Sequence, residues 1–247
     1  MTDSWRQRAL AVMPVGSSTN SKAPALLPDE PEVIVRGRGG RVWDDRGREF
    51  IDFRCALGPV TLGYADPRVE AAIRAQLEDG ILFGHPHPLE TTTAELFCSL
   101  VPGKGVANGM PLSVYCGRRE VLGVLDRGEV VVTSTYGGET LSLAAASATM
   151  AIMRDEGVPA RLRELGGRLQ DGLNALFERA GVAVRLEGHP TCPQFVGDPA
   201  LIERFLRAAF ACGVSFYRVA YVNAGHTDAD IADALRRCAL ALEDAGR

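Results

Sequence analysis

Lysine is almost missing from this chain. Of its 27 basic residues only Lys22 and Lys104 are lysines, which leaves 25 arginines. A guanidinium keeps its proton, so arginine cannot stand in where a reaction needs an amine that deprotonates and condenses with a carbonyl. Each lysine is therefore weighed as a reactive group, against the plainer reading of a solvated side chain. The sequence also lacks any apolar run of the ~20 residues needed to cross a bilayer. It has no large excess of one charge: the net charge is −4 and the basic residues are scattered. That predicts no nucleic-acid partner and no attachment to a membrane. The six cysteines, at 55, 98, 116, 192, 212 and 238, form no CxxC pair. They point to reduced, buried thiols in a cytoplasmic protein. Asp3 and a short apolar stretch at the start argue against a secretory signal. His85 and His87 have no further ligands at metal spacing, so no metal is expected.

What is present is enough for one large or two small globular domains. The chain has 247 residues, 46% hydrophobic and 23% charged. Residues 1–28, rich in Ser, Pro and Ala, read as an extended arm. Three short β runs follow at 33–35, 41–43 and 49–53, separated by the turns 37–40 and 44–47. They predict an antiparallel meander. Asp66, Pro67 and Gly80 bracket a helix with Val69, Ala72, Ile73 and Leu77 on its apolar face. A second helix is expected over 89–100, a short strand near 112–116 and a two-turn helix from Arg119. A strand is expected at Val130, Val131 and Val132, followed by a polar loop over 133–138. Small residues predict a closely packed helix at 141–154. Further expected elements are a helix at 161–179, a strand at 182–186, a helix from Asp198 to Cys212 and a strand at 214–217. Thr227 and Asp230 form an acidic capping box for a last helix. Alternating strands and helices here predict a small α+β or α/β domain.

Lys104 lies between Gly103 and Gly105, with room for its amine to attack a carbonyl. It is read as a Schiff-base lysine, with a solvated loop lysine as the alternative. A phosphate-binding P-loop is ruled out, because Cys98 and Gly105 occupy positions that need Gly and Ser or Thr. The loop 134–139 places hydroxyls and backbone N–H groups ahead of a helix. That suits either an anion site or simple N-capping. His226, at a helix start, is read as structural.

Taken in order, five segments resemble the class III aminotransferases, most nearly the glutamate-1-semialdehyde aminomutase-like branch. They are PEVIVRGRGGRVWDDRGREFIDF (31–53), ALGPVTLGYADPRV (56–69), GKGVANGMPLSVYCGR (103–118), STYGGETLSLAAA (134–146) and GHTDADI (225–231). The resemblance implies an α/β fold like that of the pyridoxal-phosphate-dependent transferases of fold type I. It implies pyridoxal 5'-phosphate as cofactor and Lys104 as the catalytic lysine. It also implies a homodimer in which Thr135 reaches the neighbouring subunit's cofactor phosphate. Lys22 falls where relatives place residues near the substrate carboxylate. The substrates implied are small-molecule amino-group donors and acceptors. The sequence departs from the family between Pro102 and Lys104, where relatives carry most of their large domain. The phosphate loop, the ring-stacking aromatic and the Asp that pairs with the ring nitrogen are absent. The expected organisation is therefore an arm (1–28), a meander (29–65), a remnant of the large domain with a truncated sheet (66–157) and a fairly complete small α+β domain (158–247). A non-catalytic remnant acting as a dimerisation or partner-binding module is the alternative function.

Overall fold

A computed structural model describes residues 4–19, 22, 30–100, 107–114, 117–132 and 134–245. The chain divides into two compact units, one of Met1–Asp66 with Val158–Arg247, the other of Pro67–Gly157.

The first unit is built on a four-stranded sheet. Strands β1 (Ile34–Arg38), β2 (Arg41–Asp44) and β3 (Glu49–Asp52) form the antiparallel meander. The turn between β1 and β2 falls at Gly39 and Gly40, later than the expected 37–40, because β1 runs on to Arg38. Strand β6 (Val214–Ser215) pairs parallel with β3, giving the order β1-β2-β3-β6. Helices α6 (Val158–Arg179), α7 (Pro199–Ala211) and α8 (Asp228–Ala245) belong to the same unit. Leu162, Leu165, Leu169 and Leu173 recur every three or four residues along α6 and are all buried. Phe53 stacks on Phe216 at 5.1 Å, and Phe177 meets Phe205 edge-on at 4.8 Å. At Gly166 of α6 an added Cβ would lie 2.0 Å from the Pro190 carbonyl oxygen, so only glycine lets the 188–191 loop approach. The capping box at α8 is present: Asp230 accepts from the Thr227 N–H at 2.9 Å, and the Thr227 hydroxyl accepts from the Asp230 N–H at 3.1 Å.

Two elements here differ from expectation. Helix α1 (Trp5–Val12) replaces part of the extended arm, because Ser4 and Gln7 close a capping box at its start. It buries no residue. Strand β5 (Gln194–Gly197), not foreseen, pairs antiparallel with β4 (Val184–Glu187). The sequence around it offers no alternating pattern; backbone pairing on both sides defines it, since Gln194 also bridges to Val219.

In the second unit the described residues are helical or irregular, and none is in a strand. Helices α2 (Pro67–Asp79) and α3 (Pro88–Ser99) both pack on α5 (Thr140–Asp155). Helix α5 buries Ala144, Ala145 and Ala146, whose small side chains allow close approach. Ala107, Ala146 and Met150 form a small core against Leu96, Phe97 and Leu100. Helix α4 (Arg119–Asp126) is present near its expected start. Residues 112–114 are not a strand, and neither are 130–132, where Val131 is 81% exposed. Three valines favour an extended chain, but a strand needs a neighbour to satisfy its backbone, and the described residues supply none. Leu77, expected on the apolar face of α2, is 57% exposed. No helix among the described residues is long and apolar enough to cross a membrane.

Candidate active site

Of the three residues singled out in the sequence, Lys104 lies outside the described residues. Thr135 is exposed on the turn 135–138, directly ahead of α5 in the second unit. Lys22 is exposed in the first unit, its backbone N–H bonded to the Thr19 carbonyl at 3.1 Å. Of the three, Thr135 has a defined setting, on a turn ahead of a helix.

The turn at Thr135 resolves the choice between an anion site and a cap. Glu139 is the N-cap of α5, and its carboxylate accepts from Leu141 N–H (2.8 Å), Ser142 N–H (2.9 Å) and the Ser142 hydroxyl (2.6 Å). Burial raises the Glu139 pKa, but these hydrogen bonds outweigh it and hold the carboxyl below its ordinary value. The helix terminus is therefore occupied by the protein's own anion. The Thr135 hydroxyl remains exposed one turn earlier.

A phosphorylated pyridine aldehyde asks for more than that hydroxyl. Its ring nitrogen needs a desolvated carboxylate, and its ring needs an apolar or aromatic face. Among the described residues of the second unit, the buried polar side chains are Thr93, Thr140, Ser142 and Thr149, with no acid. Phe83 is 45% exposed and already stacks on His87 at 5.2 Å. His87 itself caps α3, accepting from the Leu89 N–H. The described residues of the second unit therefore do not fit its ring nitrogen, and the helix terminus beside Thr135 is already filled by Glu139. The His85 and His87 pair belongs to no metal-binding cluster among the described residues.

The first unit holds a second feature that sequence reasoning missed. Cys55, Ala56 and Leu57 all have positive φ, at 44°, 51° and 70°. Three consecutive non-glycine residues in this region store strain of order 1 kcal/mol or more each. A buried polar network holds them. The Asp52 carboxylate accepts from Arg54 N–H (3.0 Å), Cys55 N–H (3.1 Å) and the Tyr64 hydroxyl (2.7 Å). The Cys55 thiol lies 3.3 Å from the carbonyls of Asp52 and Tyr221 and accepts from Asn223 Nδ2 at 3.2 Å. Asn223 N–H donates to Nδ1 of His226, whose ring stacks on Phe53 at 4.6 Å. Burial pushes the Cys55 and Tyr64 pKa values well up, with Asp52 adding to both, and burial pushes His226 down. Cys55 is therefore a neutral thiol serving as a tie, not a nucleophile. Its members are far apart in the chain, 168 residues for Asn223 and Cys55, so no local motif could have announced them.

A sequence model of the aminotransferase class-III family matches residues 28–100 and 79–223. The glutamate-1-semialdehyde 2,1-aminomutase of Aquifex aeolicus is 40% identical over 96 residues, covering 39% of this chain and 23% of the relative. That of Citrifermentans bemidjiense is 32% identical over 172 residues, covering 63% of this chain and 38% of the relative. The chain thus spans well under half the length of these curated relatives. A solved transaminase with pyridoxal phosphate bound superposes with a TM-score of 0.87 at 15% identity, over 98% of this chain and 96% of that one. At that identity the likeness speaks for the fold alone, the α/β fold type I of the pyridoxal-phosphate-dependent transferases. With the family match spanning most of its length, the chain belongs to the class-III aminotransferases.

Proposed function

We propose that this protein binds pyridoxal 5'-phosphate covalently through Lys104 and belongs functionally to the family's amino-group transfer chemistry, with amino acids or amino-aldehyde and keto compounds as its substrate class. The observation that carries the reading is the class-III family match. An exposed hydroxyl leads into α5, within the same 79–223 family match that contains Lys104. Lys104 supplies the amine and afterwards holds and moves a proton. Thr135 binds phosphate, and in a homodimer it does so for the neighbouring subunit. Lys22 stands near the substrate carboxylate. When bound, the cofactor supplies an electron-withdrawing ring that stabilises charge at the substrate's α-carbon. That role depends on a buried acid at the ring nitrogen, which the described residues of Pro67–Gly157 lack, so no turnover step is assigned. In this reading Pro67–Gly157 is what remains of the large cofactor-binding domain, and the other unit is the small domain with its meander. The working compartment is the cytoplasm.

The test is an absorbance spectrum of the purified chain with added pyridoxal 5'-phosphate, then borohydride reduction and mapping of the modified residue. We expect weak labelling at Lys104, abolished by Lys104→Ala and not restored by Lys104→Arg, with little or no transamination. Labelling spread evenly over Lys22, the N-terminal amine and Lys104 would defeat the proposal and leave the partner-binding alternative. Vigorous turnover would defeat the argument from the missing acid.

A further inference from the structure

A cavity of about 550 Å³ lies in the first unit, between β5, one face of α7 and the chain leaving β6. Its size falls in the ~300–1,000 Å³ range of small-molecule sites. Its floor is apolar and rigid. Phe195, Leu206, Phe210 and Phe216 are 8%, 7%, 3% and 1% exposed, and the rings of Phe195 and Phe216 meet edge-to-face at 5.5 Å. One wall is charged but self-neutralised. Arg54 pairs with Glu30, whose side chain is 5% exposed, and the Arg54 guanidinium lies 5.1 Å from the Tyr217 ring centre. A ligand therefore meets no unbalanced charge at depth.

The rim differs from the wall. Arg218 and Glu203 both line the cavity and are exposed, and among the described residues neither side chain has an ion-pair or hydrogen-bond partner. Arg218 is fixed at its base, since its carbonyl accepts from the Phe195 N–H at 3.0 Å. Glu203 sits three residues before Leu206 on the same face of α7, so it stands over the apolar floor. Two exposed charges of opposite sign, neither paired within the described residues, above an aromatic floor suit a zwitterion with an apolar side chain. We infer that this cavity is a binding site for a free apolar α-amino acid. The carboxylate faces Arg218, the ammonium faces Glu203, and the side chain rests among Phe195, Phe210 and Phe216. A ligand with only one of the two charges leaves the other rim group unanswered. The site lies wholly within the first unit and does not depend on the Lys104 reading.

Calorimetric titration of the full chain without added cofactor tests this, using phenylalanine, leucine, glycine, 3-phenylpropionate and phenethylamine. Phenylalanine and leucine should bind saturably, and glycine roughly tenfold more weakly or worse, for want of an apolar side chain. Losing either charge from the ligand should weaken binding by about two- to five-fold, as befits exposed pairs. Arg218→Gln should weaken phenylalanine and phenylpropionate but not phenethylamine, and Glu203→Gln should do the converse. Ile202→Trp, which fills the cavity from α7, should abolish binding; if that variant fails to fold, the two exposed rim variants decide. Absence of saturable phenylalanine binding overturns the inference. So does unchanged binding in a folded Ile202→Trp variant, or phenylpropionate binding as tightly as phenylalanine. Binding should persist in Lys104→Ala; loss there places the amino acid at the cofactor site and overturns the assignment, whatever the fate of the labelling experiment.

Discussion

Gly40→Ala is the sharpest test of how the first unit is held together. Gly40 is not in the left-handed region, so alanine meets no backbone penalty there. The obstacle is purely steric. An added Cβ would lie 2.3 Å from Cδ2 and 2.8 Å from Nε2 of His226. Neither partner can move easily. The Gly40 carbonyl accepts from the Asp52 N–H at 2.8 Å, while the fully buried His226 ring is held by Asn223 N–H and by stacking on Phe53. Overpacking a fixed site costs about 1–3 kcal/mol, and the rigidity on both sides places this case near the top. For a chain of this size that lowers the melting temperature by about 6–12 °C. His226→Ala alone should cost about 2–4 kcal/mol, from the cavity and the orphaned Asn223 N–H. In the double variant the clash is gone, so the two costs should fall short of additive by about 1–3 kcal/mol. Urea denaturation of the four proteins measures this directly. A Gly40→Ala variant as stable as the parent, or strictly additive costs, would refute the proposed contact.

Protonation offers a second test of the same ring. The His226 pKa is depressed below its ordinary 6.5, so the fold favours neutral imidazole. Its stability contribution is complete above about pH 6.5 and is lost as pH falls through the lowered native value. His226→Gln should flatten the urea midpoint between pH 6.5 and 5; an unchanged slope would assign the loss to other groups. Glu139→Ala should cost about 1 kcal/mol and speed amide exchange in the first turn of α5, while Glu139→Gln should recover part of it; equal exchange in all three would remove Glu139 as the cap. The exposed apolar side chains at Ile81, Leu82, Phe83 and 130–132 should make the chain self-associate, and light scattering that finds a stable monomer would count against this.

Elements with local chemistry were the legible ones. Gly39, Gly47 and the aspartates around the second turn announce the meander, and Thr227 with Asp230 announces α8. The Ser4 and Gln7 box of α1 was equally local, but the Ser- and Pro-rich composition around it obscured the signal. Positions 130–132 misled because valine reports a preference for extended backbone and says nothing about whether a neighbouring strand exists. Lys104 and Thr135 stood out through rarity and resemblance, whereas Asp52, Tyr64, Cys55, Asn223 and His226 meet only because β3 and the chain beyond β6 converge.

The parallel pairing of Ile51 with Val214 also sets a clock on synthesis. The partner of β3 leaves the ribosome about 160 residues after it, which at about 5–20 residues per second is a wait of roughly 8–30 s. Throughout that interval Phe50, Ile51 and Phe53, all fully buried at the end, have no finished sheet to enter. The nascent meander thus carries uncovered apolar surface for that interval. Anything that shortens the stretch between the two strands also shortens its exposure.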